Sequence, residues 1–205
     1  MLEPCTPRAR EKCRQIMDGA TRIFDEQGFE GASVDMIAET ADVSKATLYK
    51  YFANKQELFK AVIQRQCEVY SERIAELSKV DGGLEDNLRA IAGNISQTVT
   101  SPLLTNLFRL AVAETTRFPD IARTFYESAP RAGENLIAAI LQKHIDSGEL
   151  AIDDVPLAAR QFLELIKADF FHVAIFGIRT EFTQQDIDQS AENAVQTFLR
   201  AYRAR

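Results

Sequence analysis

The chain contains few of the residues from which metal sites and nucleophilic active sites are built. Its two histidines, His144 and His172, lie 28 residues apart, and no acidic or cysteine pattern suited to a metal surrounds them. The sequence has neither a phosphate-binding glycine loop nor the strained serine turn of hydrolases. These absences argue against an enzyme and predict no cofactor and no metal.

Cysteine is also scarce, and long apolar runs are missing. The three cysteines, Cys5, Cys13 and Cys67, do not have the spacing of metal ligands and suit a reducing compartment. No apolar run approaches the ~18–20 residues that a membrane-spanning helix needs. The N-terminus has no signal-peptide core. We therefore expect a cytoplasmic protein with no membrane partner.

Positive charge is not in excess. The net charge is −6, and residues 1–60 contain nine Lys or Arg against ten Asp or Glu. This balance does not exclude nucleic acid, because phosphate contact depends on where the charges are placed. The basic residues form one group between Arg8 and Arg14 and a second that contains Lys45 and Lys50. The first group is either a solvated helix face or a set of clamps for a DNA backbone.

The sequence does contain a helical hairpin over residues 33–55. Ser33 is a good N-cap, and apolar residues follow it at helical spacing. Ser44 then caps a second short helix, in which Leu48 and Phe52 are one turn apart and face inward. Two short helices joined by such a turn indicate a helix-turn-helix, whose second helix fits the major groove of DNA.

The outward face of the second helix bears on whether this hairpin binds DNA. Helical hairpins with a polar face are common in all-α proteins and most bind nothing, so the geometry alone assigns no function. Here the outward residues are basic or carry hydroxyl groups, which suits phosphates and base edges. The predicted DNA-binding residues are Ser33, Ser44, Lys45, Ala46, Thr47, Tyr49, Lys50, Tyr51 and Lys55.

The segment VSKATLYKYFANKQELF resembles the signature of the TetR family of bacterial transcriptional regulators. The resemblance covers about residues 8–60. One position departs from the family pattern, because Asp42 stands where the turn usually has Gly. Aspartate tolerates the left-handed backbone region better than most residues, so we expect the turn to survive. The resemblance implies a DNA-binding domain at residues 1–55 and a ligand-binding and dimerisation domain at residues 56–205.

Helical periodicity continues to the end of the chain and predicts an all-α fold of about nine helices. Asn54 is expected to cap a long helix that ends at a flexible break over residues 81–83. Pro130 should interrupt a later helix. The helix expected over residues 153–177 is apolar on nearly every side in its second half, and the last helix begins after Thr183.

The last two helices form either an antiparallel pair within the chain or an interface between subunits. A helix that is apolar all round must be buried all round. In the TetR family the last two helices build a four-helix dimer interface, so the resemblance favours a homodimer. The predicted interface residues are Phe170, Ala174, Val195, Phe198 and Leu199.

The C-terminal part is rich in phenylalanine. Aromatic residues at helical spacing are usually core residues, but as a group they also line apolar cavities between helices. Members of the TetR family bind their inducers in such a cavity. Cys67 is interpreted as a small buried apolar residue in preference to a redox sensor. The predicted ligand-binding residues are Cys67, Tyr70, Ile91, Asn94, Ile95, Thr98, Phe108, Phe125, Phe162 and Ile166.

These patterns and the resemblance together predict a ligand-responsive DNA-binding regulator. We expect a repressor that binds a palindromic double-stranded DNA operator as a homodimer and is released by a small, largely apolar inducer. The alternative is an all-α carrier or interaction module that does not bind DNA. A carrier would hold a bound cofactor, and an interaction module would show no salt-dependent DNA binding.

Overall fold

The computed structural model describes residues 6–77 and 83–204, and these residues are predominantly helical. They form no strand; an isolated bridge joins Leu150 and Arg203. The predicted all-α fold is confirmed. A flexible break was predicted at residues 81–83, and residues 81 and 82 lie outside the described residues. The helices are α1 (Pro7–Gly31), α2 (Val34–Thr40), α3 (Lys45–Tyr51), α4 (Lys55–Leu77), α5 (Leu84–Val99), α6 (Pro102–Ala113), α7 (Pro119–Tyr126), α8 (Ala132–Asp146), α9 (Val155–Lys167), α10 (Phe171–Ile175) and α11 (Gln184–Tyr202).

The described helices outnumber the predicted ones because two long predicted helices are each divided. Proline lacks the N–H that continues an α-helix, and around Pro130 a π-helical turn, Glu127–Arg131, separates α7 from α8. The other division falls between α9 and α10. Near the end of the predicted helix Phe176 exposes 75% of its surface within its own chain, so burial all round would there require a second molecule and stays a prediction.

The chain forms two compact units. The first consists of Met1–Gln66 and Asn106–Phe125, and the second of Cys67–Thr105 and Tyr126–Arg205. Helices α4 and α6, and α7 with its last residue, therefore contribute residues to both units. The predicted boundary after residue 55 concerns a division of function and stays a prediction.

The core of the first unit is built from aromatic rings. Phe59 of α4 lies with its ring centroid 4.8 Å from that of Phe24 and 5.1 Å from that of Phe29. Phe118 meets Phe29 edge-on at 5.7 Å. Such ring pairs stabilise a fold by roughly 0.5–1.5 kcal/mol each beyond the area they bury. They fix α1 against the first part of α4.

The core of the second unit lies between α5, α8, α9 and α11. Phe162 of α9 and Phe198 of α11 are fully buried there, with ring centroids 4.8 Å apart. At the surface of the same unit, Arg89 of α5 donates from Nε to Glu192 of α11 at 2.6 Å. The sequence left open whether the last two predicted helices pair within the chain or between subunits. Helices α9 and α11 pack on each other within the chain, which answers this question in part.

The residues predicted to form the dimer interface are all buried within their own chain. Phe198, for example, lies against the rings of Phe162 and Tyr202. A side chain that is already buried in its own subunit leaves little surface for a partner, which argues against these residues, and their place in a dimer interface stays a prediction. The periodicity showed that these residues are buried but not what buries them. The residues concerned are Phe170, Ala174, Val195, Phe198 and Leu199.

Helix α1 approaches the turn after α2 so closely that Gly19 has no room for a side chain. A Cβ atom at Gly19 would lie 2.8 Å from Cβ of Ala41 and 3.0 Å from its backbone N and Cα. Gln15, one turn earlier on α1, donates from Nε2 to the carbonyl of Ala41 at 2.5 Å. The position of this turn is therefore set by α1.

We expect Gly19→Ala to lower the free energy of unfolding by about 1–3 kcal/mol, because the backbone of Ala41 must move to admit a methyl group. Urea unfolding measures this. The control is Gly31→Ala, since a Cβ there would meet only the Cβ of Gln27 at 3.5 Å. Equal losses in the two variants would contradict the close contact.

Candidate nucleic-acid interface

Two serine caps begin the two helices of the hairpin. The Ser33 hydroxyl accepts a hydrogen bond from the backbone N–H of Met36 at 3.1 Å. The Ser44 hydroxyl accepts one from the N–H of Thr47 at 3.1 Å and lies 2.8 Å from the Thr47 hydroxyl. Each cap satisfies a backbone donor that the helix itself leaves unpaired. Both predicted caps are confirmed.

The turn between these helices depends on the backbone of Asp42. This residue has a φ of 48°, which is the left-handed region that the family's usual glycine adopts freely. Its N–H donates to the carbonyl of Glu39, and the N–H of Val43 donates to that of Ala38, both at 3.0 Å. The prediction that aspartate preserves the turn is confirmed.

Helix α3 presents a polar surface opposite its buried side. Leu48 is fully buried and Phe52, which caps the helix, is nearly so. The residues of α3 that were predicted to face outward lie away from this buried side and have access to solvent. Ala46, Tyr49 and Lys50 are exposed, and Thr47 and Tyr51 are half-buried.

Lys45, the first residue of α3, is held by an acidic residue that sequence reasoning missed. Its Nζ lies 2.8 Å from Oδ1 and 3.0 Å from Oδ2 of Asp35 on α2. The hydrogen bond from Lys45 and the negative charge of Asp35 raise the pKa of the lysine. Helical periodicity gives no signal for this pair, because the two residues lie on different helices across a turn.

Lys55 does not point freely toward a ligand. Its Nζ donates to the carbonyl of Phe29 at 2.7 Å and to that of Ala32 at 3.0 Å, and lies 4.5 Å above the Phe29 ring centre. Two of the three N–H groups of the ammonium are thus used inside the protein. These contacts favour a positioning role for Lys55, and its predicted contact with DNA stays a prediction. Lys55 joins the start of α4 to the segment before α2.

The predicted ligand-binding residues are distributed between the two units. Ile91, Ile95, Phe162 and Ile166 lie together in the core of the second unit. Tyr70 and Thr98 are half-buried. In the first unit, Phe108 and Phe125 meet edge-on with centroids 5.7 Å apart. That the ten residues share one ligand site stays a prediction.

Two residues of that set, Asn94 and Cys67, have unusual surroundings. Asn94 exposes only 6% of its surface, and its side-chain oxygen is buried without a hydrogen-bond partner. Its backbone carbonyl accepts from the Thr98 hydroxyl at 2.8 Å. Burial raises the pKa of the Cys67 thiol to about 12. The thiol is therefore neutral at physiological pH, which supports the structural interpretation of Cys67 over a redox sensor.

Two family models match the chain. Residues 16–62, which include the hairpin, match the model for bacterial regulatory proteins of the TetR family. Residues 86–204 match the model for the C-terminal domain of AefR-like transcriptional repressors. The chain belongs to the TetR family. The resemblance noted in the sequence is thereby confirmed over most of the chain.

Individual TetR-family proteins match it over nearly their whole length. The flavonoid-responsive regulator FrrA is 35% identical, with a TM-score of 0.78 over 96% of this chain and 99% of that one. A TetR-family regulator from Mesorhizobium loti has a TM-score of 0.90 at 26% identity, over 97% of this chain and all of the other. The repressor AcnR of Corynebacterium glutamicum is 25% identical over 179 residues, which cover 85% of this chain and 88% of AcnR.

Membership of the TetR family assigns a class of function. The protein is a DNA-binding transcriptional regulator with a helix-turn-helix, and its C-terminal region is of the ligand-responsive repressor type. It is not an enzyme, as predicted, because its family and its relatives are regulators. Within residues 6–77 and 83–204, no helix has both the length and the apolar character needed to cross a lipid bilayer.

We expect Lys50→Ala to change which DNA sequences are preferred. Lys50 is exposed on the outer side of α3, and a lysine that reads a base edge contributes about 1–3 kcal/mol of discrimination at that position. Competition binding with single-base variants of a bound duplex measures the change. An unaltered ranking of the duplexes would show that Lys50 does not read a base.

We expect Lys55→Met to lower the free energy of unfolding by about 1–3 kcal/mol, because the carbonyls of Phe29 and Ala32 lose their donor. DNA binding should weaken on all sequences with the same salt dependence. Thermal unfolding and titrations at several salt concentrations test this, with Lys50→Ala as the exposed control. If stability were unchanged and the slope of log binding constant against log salt concentration fell by about one, Lys55 would be a phosphate ligand.

Proposed function

We propose that this protein represses transcription by binding a palindromic operator as a homodimer, and that a small, largely apolar ligand releases it. Residues 1–55 would read the DNA, and residues 56–205 would bind the ligand and the second subunit. The observation that carries the proposal is the exposed basic surface of α3 on a hairpin held in place by α1. AcnR, a relative over most of both chains, is named a repressor.

Exposed apolar side chains after α10 support the homodimer. Among the described residues, Phe176 and Ile178 are the most exposed large apolar side chains. Single apolar residues on a surface are ordinary, but two neighbouring ones with three quarters of their area in water indicate a surface that another molecule covers. In a two-fold dimer the same patch would face its own copy. Half-sites on the operator would then lie about 34 Å apart, or a multiple of that distance.

We expect Phe176→Asp to yield monomers, because a charge would replace apolar surface at the interface. Light scattering at micromolar concentration measures the molecular mass. The control is Val112→Asp, which changes another exposed apolar residue in the first unit and should leave the mass unchanged. A monomeric wild type, or a Phe176→Asp variant that stays dimeric, would argue against this surface.

Asn94 supports a ligand that carries a hydrogen-bond donor. A buried carbonyl oxygen without a partner costs about 1–3 kcal/mol, and a ligand donor would recover that loss. Ile91, about one turn earlier on α5, and Ile95, the next residue, lie nearby, so the rest of the contact would be apolar. FrrA is named a flavonoid-responsive regulator. Hydroxylated aromatic molecules combine apolar rings with donors, and we propose that class of inducer.

Release of DNA requires that the ligand bind the free and the DNA-bound forms differently. A hundredfold loss of operator affinity corresponds to about 2.7 kcal/mol of coupling free energy. Operator DNA must then lower the affinity of the protein for the ligand by the same factor. Helix α4 begins directly after the hairpin and continues into the second unit, so it is a direct covalent connection between the proposed DNA and ligand regions.

We expect Asn94→Leu to abolish release of DNA by a panel of hydroxylated flavonoids, while operator affinity stays near that of the wild type. The substitution keeps the number and branching of the side-chain heavy atoms but removes the polar group that would contact the ligand. Fluorescence anisotropy of a labelled duplex, titrated with each flavonoid, measures release.

The matched control is Ser190→Ala on α11. Ser190 is buried, and its hydroxyl also has no partner, but it is not among the predicted ligand residues. Loss of response in both variants would indicate a general change of the core. A normal response of Asn94→Leu would place the ligand elsewhere.

A further inference from the structure

We propose that Asp35 and Lys45 act together as one reader of a G·C base pair in the major groove. The inference deepens the proposed operator binding and rests on it. It assigns a recognition role to Asp35, which is not among the predicted DNA-binding residues. The two residues form an ion pair between the first turn of α2 and the first residue of α3.

Stability does not account for this ion pair. The side chain of Asp35 is 70% exposed and that of Lys45 is 50% exposed. Ion pairs between exposed side chains contribute little to folding, because water and salt screen them and both side chains lose freedom. The pair therefore matters more for what approaches this surface than for the fold beneath it.

Asp35 is an unfavourable residue on a surface that meets DNA. Phosphate groups are negatively charged and offer only acceptors, so a carboxylate near them weakens binding to every sequence. The bases offer the missing partner, since the amino groups of cytosine and adenine donate hydrogen bonds in the major groove. Asp35 can therefore approach DNA closely only where the amino group of a base lies opposite its carboxylate.

The position of Lys45 brings the pair to the base edges. In helix-turn-helix proteins the N-terminal residues of the recognition helix contact the bases, and Lys45 is the first residue of α3. Asp35 lies within 3.0 Å of its ammonium. A donor and an acceptor are therefore presented side by side at the end of the helix that enters the groove.

A G·C pair presents the complementary arrangement. Guanine offers two acceptors, N7 and O6, and the amino donor of cytosine follows them across the groove. Lys45 would donate to guanine, and Asp35 would accept from cytosine N4. In an A·T pair the adenine amino group stands between two acceptors, N7 and O4. A carboxylate at that amino group would face O4, which disfavours A·T.

The test begins with duplexes that wild-type protein selects from a pool with a random core of about 20 base pairs, long enough to hold two half-sites. Binding of wild type and Asp35→Asn is then measured on the selected duplex and on all its single-base variants. Asp35→Asn should lose about tenfold to hundredfold discrimination at one G·C pair of each half-site. It should also bind random-sequence duplex more tightly, because one negative charge is removed.

The matched control is Glu39→Gln, which removes a negative charge from another exposed residue of α2. It should tighten binding to random duplex but keep the full discrimination. A charge-swapped protein, with Asp35→Lys and Lys45→Asp, exchanges donor and acceptor and should prefer C·G at the same position. Thermal unfolding confirms that each variant is folded.

The outcomes separate this inference from the operator proposal beneath it. If wild type selects no sequence from the pool, the operator proposal fails. If wild type selects a sequence and Asp35→Asn retains every preference, the operator proposal stands and the reading role of Asp35 is overturned. A charge-swapped protein that folds and keeps the original G·C preference would also overturn it.

Discussion

The close approach of α1 to the turn of the hairpin is the contact on which the DNA-binding surface depends. Gly19 lets the two backbones meet, and Gln15 ties the carbonyl of Ala41 to α1. Lys55 makes a second tie, from the start of α4 to the segment before α2. The hairpin is short and buries little by itself, so these ties give α3 the fixed orientation that base reading requires.

The two units use different kinds of interior. The first stacks aromatic rings from α1, α4 and the segment around Phe118, which leaves little freedom beneath the hairpin. The second combines an aliphatic and aromatic core with buried polar atoms that lack partners, among them those of Asn94, Ser96 and Ser190. Such atoms reduce stability, and their presence in the unit proposed to bind a ligand suits a site completed by another molecule.

Local features of the sequence predicted the hairpin well. The caps at Ser33 and Ser44 and the turn at Asp42 involve neighbours along the chain, so residue type and spacing define them. The partners of Lys45 and Lys55 were missed because they lie 10 and 23 or more positions away. Periodicity marks a side chain as buried but does not identify the surface that buries it, so it could not show that Phe198 packs against Phe162 and Tyr202 of its own chain.

Because Cys67 is buried, its reactivity reports on local opening of α4. Thiol reagents attack the thiolate, and with a pKa of about 12 almost none is present while the side chain stays buried. The rate at which such a reagent modifies Cys67 in the native protein therefore measures how often this part of the helix opens. A molecule that tightens or loosens α4 would change that rate without any added label.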